Sequence, residues 1–207
     1  MSRGRLKKPV FPDRIVDPGS LPHAVPRWRG NLPHILKDGC TYFVTFCLHD
    51  VVFGRRVERS ESALDGESIP ILREHDPAPD LGGCLLNDPV VASIVEDSLL
   101  HFQNVRYLLS AWCVMPNHVH VVVTPHHDHN LSLILHSWKS FSAHEINRLL
   151  GREGGIWEEE AFDHIVRDEK SMERFVRYTE DNPVKAGLCE QPEQWPFSSA
   201  RFRDRVE

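Results

Sequence analysis

Hydrophobic positions recur with two different periods along this 207-residue chain. Aromatic and β-branched runs predict strands, and spacing at i, i+3 and i+4 predicts helices. The first strand is Thr41-Tyr42-Phe43-Val44-Thr45-Phe46-Cys47-Leu48, introduced by a turn at Lys37-Asp38-Gly39. A first helix follows a cap at Asn87 or Asp88 with Pro89 in its first turn, and buries Val91, Ile94, Val95, Leu99, Leu100 and Phe102. The apolar runs 108–114 and 118–124 flank Pro116-Asn117 and predict a tight hairpin, with the second run as a central strand. Asn130 or Ser132 opens a second helix with the stripe Leu133, Ile134, Trp138, Phe141, Ile146, Leu149 and Leu150, closed by Gly151. The mixed pattern of Ile156–Val166 predicts an edge strand. Asp168 caps a third helix with Met172, Phe175, Val176 and Thr179 on its buried side, expected to stop at Asn182 because proline disfavours helical geometry in the residue before it.

The order β-α-β-β-α-β-α predicts an α+β, ferredoxin-like (RRM-like) antiparallel four-stranded sheet with helices on one face. The last helix is then an extra C-terminal element. Residues 1–30, rich in Pro, Arg and Gly, read as an irregular basic extension. Residues 31–200 form one domain with a long polar excursion at 50–87, and 201–207 form a tail.

Composition narrows the function. A hydrophobic fraction of 41% supports one well-filled core. No apolar run approaches a membrane span and no apolar signal core follows the basic start, so a cytoplasmic protein is expected. The five cysteines are scattered and never spaced C-x-x-C, against both a disulfide framework and a cysteine zinc site. A net charge of −6 argues against broad nucleic-acid binding through overall charge. Residues 1–40, however, hold eight Lys or Arg against three acids, enough for a local grip on phosphate.

The candidate chemistry starts at His118-Val119-His120. Side chains alternate along a strand, so both imidazoles share a face and can reach one metal ion. Tyr178 and Asn182 stand four apart and share a helix face, which makes Asn182 a candidate third ligand and Tyr178 a candidate nucleophile, although packing is the commoner role of a tyrosine on an amphipathic helix. Such a nitrogen-and-oxygen set suits Mn²⁺ or Mg²⁺ better than a closed zinc site. A metal-held phosphodiester attacked by tyrosine would give a covalent phosphotyrosine, although a free phenol, with a pKa of about 10, needs assistance.

Pro116-Asn117-His118-Val119-His120, Trp138-Lys139-Ser140, Tyr178 to Leu188 (YTEDNPVKAGL) and Trp195-Pro196-Phe197-Ser198-Ser199-Ala200 together resemble the single-tyrosine HUH transposases, in the branch of REP-associated tyrosine transposases. The resemblance spans about Arg29 to Ala200. It implies that His118, His120 and Asn182 hold the divalent metal and that Tyr178 is the nucleophile. It further implies cleavage and strand transfer of single-stranded DNA at hairpin-forming palindromic repeats through a 5′-phosphotyrosine, by a monomer rather than a dimer. Arg27, Arg29, Lys139, Arg148 and Lys185 are the candidate DNA contacts. The competing readings are a host-retained hairpin-binding regulator with little cleavage, a hydrolase using activated water, and an RNA-binding module stacking bases on Tyr42, Phe43 or Phe46.

Overall fold

β-branched and aromatic residues dominate the two central strands, β3 (Thr41–Cys47) and β5 (His118–Pro125), and every residue of β5 is buried. In the computed structural model, which describes residues 7–20, 26–29, 32–35, 39–49 and 84–203, these strands form the middle of an antiparallel sheet. Its order is β4-β5-β3-β6, with β4 at Tyr107–Val114 and β6 at Phe162–Val166. Two helices, α1 (Pro89–His101) and α2 (Leu131–Leu150), cover one face. A third, α3 (Glu169–Lys185), covers the other. This is the expected ferredoxin-like α+β sheet with its additional helix.

Alternation along the strands divides the two faces. Tyr42, Val44, Phe46, Val119, Val121 and Val123 join Val91, Val95 and Leu99 of α1 and Ile134, Trp138 and Ile146 of α2 in the main core. Each such side chain, fully buried, contributes roughly 1.5–3 kcal/mol of transfer free energy. On the opposite face Phe43, Ala111 and Val122 meet Met172 and Phe175 of α3. Polar tips inside the main core are paired: the Tyr107 hydroxyl donates to the Leu99 carbonyl and accepts from Trp138 Nε1, joining β4 to both helices.

The helix ends follow their capping residues. Asp88 accepts from the Val90 amide, Asn130 from Ser132, and Asp168 forms a reciprocal capping box with Ser171. Gly151 closes α2 at φ 62°, a left-handed conformation that glycine adopts without a Cβ clash.

Several expectations are corrected. The stripe proposed for α2 is displaced: Leu133 is 69% and Phe141 53% exposed, and Leu149 and Leu150 are also exposed, while Leu131 and Ser142 are buried beside Ile134, Trp138 and Ile146. Ser142 belongs inside because its hydroxyl accepts from Trp157 Nε1 and donates to the Trp138 carbonyl. β6 is shorter than the predicted edge strand, since Trp157 forms only an isolated bridge to Leu48. Helix α3 does not stop before Pro183 but runs to Lys185. The proline removes only one hydrogen bond, and the Ala186 amide still reaches the Asn182 carbonyl.

The N-terminal region departs from an irregular extension as well. β1 (Pro26–Arg29) and β2 (Leu32–Ile35) pair as an antiparallel hairpin. Residues 7–17 have no regular structure but lie along the body, where the Val10 amide donates to the Leu109 carbonyl and Lys7 Nζ to Leu100. The turn expected at Lys37-Asp38, the excursion from 50 to 83 and the tail from 204 to 207 lie outside the described residues.

Candidate active site

His118 and His120 alternate with Val119 and Val121 along β5, so the valines enter the main core and both imidazoles lie on the α3 face. Their Nε2 atoms are 3.0 Å apart. Each ring is oriented through its other nitrogen: His118 Nδ1 is 2.6 Å from Asn117 Oδ1, and His120 Nδ1 is 2.7 Å from Thr45 Oγ1. Thr45 is the β3 register partner of His120, so strand pairing itself supplies that contact. With Asn117 presenting its carbonyl oxygen, which only accepts, His118 carries its proton on Nδ1 and turns the Nε2 lone pair toward His120. Both rings are buried, and burial pushes His118 down to about 3. His120 is held well below the usual range, chiefly by burial and then by the charges of His118 and Lys185. The pair is therefore neutral, as metal ligation requires.

Helix α3 brings in the rest. Phe43 stacks on Phe175 at 4.8 Å and under the His120 ring at 5.5 Å, so the helix is seated on the same aromatic residue that supports the histidine. One turn beyond Phe175, the half-buried Tyr178 meets His120 edge to face at 5.3 Å. A further turn on, Asn182 places Nδ2 3.2 Å from His120 Nε2. The two ends of an amide are told apart only by their hydrogen bonds, so the same position can present Oδ1. Exposed Lys185 sets Nζ 5.0 Å from the Tyr178 ring centroid.

These four residues, His118, His120, Tyr178 and Asn182, thus come together as the sequence spacing predicts. Among the described residues no three His, Cys, Asp or Glu side chains cluster as a metal site. The polar side chain that joins the two histidines here is the Asn182 amide. The close approach of the His118 and His120 Nε2 atoms and the neutrality of both rings fit a divalent cation with nitrogen and oxygen ligands.

The other candidates are dispersed. Lys139 of α2 donates to the backbone carbonyls of Glu158 and Glu159, and Arg148 pairs with Glu145. Arg27 and Arg29 lie in β1, and the contacts expected of their side chains fall outside the described residues. Tyr42, Phe43 and Phe46 are at most 1% exposed, so none offers a stacking surface to RNA. Sequence reasoning missed Thr45, Asn117 and Phe43 as supports of the histidines. Asn117 was adjacent in the motif, whereas Thr45 and Phe43 emerge only from the register of β3 against β5.

Residues 93–182, from within α1 to Asn182, match the model of the family described as IS200-like transposases. The matched segment contains both histidines, Tyr178 and Asn182. A REP-associated tyrosine transposase of Escherichia coli K12 is 32% identical over 92 residues, 44% of this chain and 53% of that protein. A Haemophilus influenzae protein given the same family name is 31% identical over 99 residues, 43% of this chain and 56% of its own length. The chain thus aligns with about half the length of these curated relatives. A solved REP-associated tyrosine transposase bound to a REP hairpin shares the fold, with a TM-score of 0.58 over 84% of each chain at 22% identity. Among the described residues no helix is long and apolar enough to cross a membrane.

Proposed function

We propose that this protein cleaves single-stranded DNA beside hairpin-forming repeats and transfers the strand through a 5′-phosphotyrosine on Tyr178. The observation that carries the reading is the convergence of His118 Nε2, His120 Nε2 and the Asn182 amide beside the Tyr178 ring. His118, His120 and Asn182 would hold a divalent ion, Mn²⁺ or Mg²⁺. That ion would supply charge neutralisation at a phosphate oxygen and a more electrophilic phosphorus.

The protein's own groups supply the remainder. Tyr178 Oη forms a bond to phosphorus as the bond from phosphorus to the 3′ oxygen breaks. The phenolic proton leaves to solvent, and the departing 3′ oxygen takes one up. Lys185, beside the ring, offsets negative charge developing on the phenolate and on the incoming phosphate. Attack by a different 3′-hydroxyl on the phosphotyrosine reverses these bond changes and joins a new strand. Thr45 and Asn117 hold the imidazoles in one orientation throughout.

The hairpin-bound relative supports folded single-stranded DNA as the partner, and the IS200-like match over the site supports the chemistry. The test is incubation with hairpin oligonucleotides from the flanking genomic sequence in Mn²⁺ or Mg²⁺, followed by denaturing electrophoresis. A protein–DNA adduct that survives denaturation, and is lost in Tyr178→Phe, is the expected result. Binding without any adduct across both metals would instead favour a hairpin-binding regulator.

A further inference from the structure

Helix α3 is anchored in its first half by buried Met172 and Phe175, while beyond them its apolar contact with the same cluster comes from the partly buried Val176 and Tyr178. The buried positions of the second half include Thr179, whose hydroxyl has no partner among the described residues, and Pro183. Proline also deletes the hydrogen bond to the Thr179 carbonyl, within the turn that separates Tyr178 from Asn182.

Glu180 compensates from the opposite side. Two residues on a helix subtend about 200°, so Glu180 points away from both Tyr178 and Asn182. Its carboxylate, in a residue only 8% exposed, accepts from Ser199 Oγ at 2.7 Å, from Arg203 Nε at 3.0 and 3.1 Å, and from Arg203 Nη2 at 2.9 Å. Ser199 Oγ in turn accepts from the Trp112 amide on the outer edge of β4, just past the irregularity between Leu109 and Ala111. Arg203 stacks over Phe11 of the N-terminal arm. The Trp195–Ala200 motif fixes this assembly to β4: the Val114 amide donates to the Phe197 carbonyl, and Trp195 Nε1 donates to the Val114 carbonyl.

We propose that Glu180, held by Ser199 and Arg203, is a positioning residue that fixes the rotation of α3 and so the approach of Tyr178 and Asn182 to the histidine pair. This inference rests on the reaction proposed above. A bidentate arginine and a hydroxyl relayed from sheet backbone set the azimuth of a helix more sharply than apolar contact does. Displacing the nucleophile by about 1 Å is enough to cost on the order of a hundredfold in rate.

The test uses the full chain with Ser199→Ala, Arg203→Ala and Glu180→Gln. Adduct formation is timed at saturating hairpin DNA and Mn²⁺, DNA affinity is measured separately, and the nuclear Overhauser contact between the Tyr178 and His120 rings is recorded without DNA or metal. Ser199→Ala and Arg203→Ala are expected to slow adduct formation by about tenfold or more at unchanged DNA affinity, with a weakened ring contact. Glu180→Gln, which keeps an acceptor for Ser199, recovers part of the rate. Variants that melt earlier yet cleave at the wild-type rate and keep the ring contact would reduce the network to a structural tie and overturn the proposal. Should the wild-type protein form no adduct, the proposed reaction fails by itself. The ring contact then decides the positioning role: its loss in Ser199→Ala supports it, and its persistence rejects it.

Discussion

Tyr178 on α3 and His120 on β5 meet with ring centroids 5.3 Å apart and planes at 72°, although they stand 58 positions apart in the chain. The phenol is presented at the side of the imidazole whose Nε2 faces His118 and Asn182. Removing the hydroxyl alone leaves this packing in place. Tyr178→Phe is expected to abolish the DNA adduct while changing unfolding stability by less than about 1 kcal/mol, as read from a urea titration. Adduct remaining in that variant would transfer the nucleophile role elsewhere.

A second prediction concerns the two facing ring nitrogens of His118 and His120. A divalent ion bound there stabilises the native state by mass action, about 2.7 kcal/mol at a hundredfold excess over the dissociation constant. For a chain of this size that raises the melting temperature by roughly 5–10 °C. Mn²⁺ should raise it, a chelator should reverse the rise, and His118→Ala or Asn182→Ala should reduce it. A calorimetric scan indifferent to metal in the wild-type protein would remove these residues from a ligand set.

The buried histidines also set a pH dependence in the metal-free protein. In the unfolded chain an imidazole titrates near 6.5, while burial holds His118 at about 3 and His120 well below its ordinary value. As pH falls below about 6.5, the unfolded state binds protons that the native state refuses. The stabilisation is complete above that range and is lost progressively toward about pH 3, on the order of 1 kcal/mol per imidazole for each pH unit below about 6. Denaturant midpoints compared at pH 7 and pH 5 check it, and equal midpoints would contradict the burial of both rings.

Thr179 offers a stabilising change. Its hydroxyl is fully buried and has no hydrogen-bond partner among the described residues, so it keeps a desolvation cost without a compensating bond. Valine has nearly the same shape. Thr179→Val is expected to raise stability by about 1 kcal/mol, measured by chemical denaturation. A loss of that size would mean that the hydroxyl is satisfied in solution.

Much of the fold was legible because short-range signals agreed with the long-range outcome. Asp88, Asn130 and Asp168 cap the helices they precede, Gly151 ends the one it follows, and the alternation around His118 and His120 divides them from the core valines. The errors arose where one local pattern admits two structures. Helix α2 carries more apolar residues than its buried side can take, and only the position of Trp157 reveals that Ser142, rather than Phe141, lies inside. Pro183 reads as a stop because the rule for prolines is local, while contacts from outside the helix decide whether it continues. The supports of the site were least legible. Thr45 reaches His120 through strand register, and Ser199 reaches Trp112 across 87 positions, neither of which a motif encodes.

That long separation has a consequence for synthesis. The edge of β4 and the outer side of α3 wait for the same late segment, residues 197–203. Contacts of such high sequence separation form slowly, after most of the chain is available. A growing polypeptide would therefore hold its histidines, tyrosine and asparagine before α3 is tied to β4 through Ser199. If Glu180 has the positioning role proposed for it, the cleavage proposed for this chain would await the emergence and docking of residues 197–203, and not only of its histidines, tyrosine and asparagine.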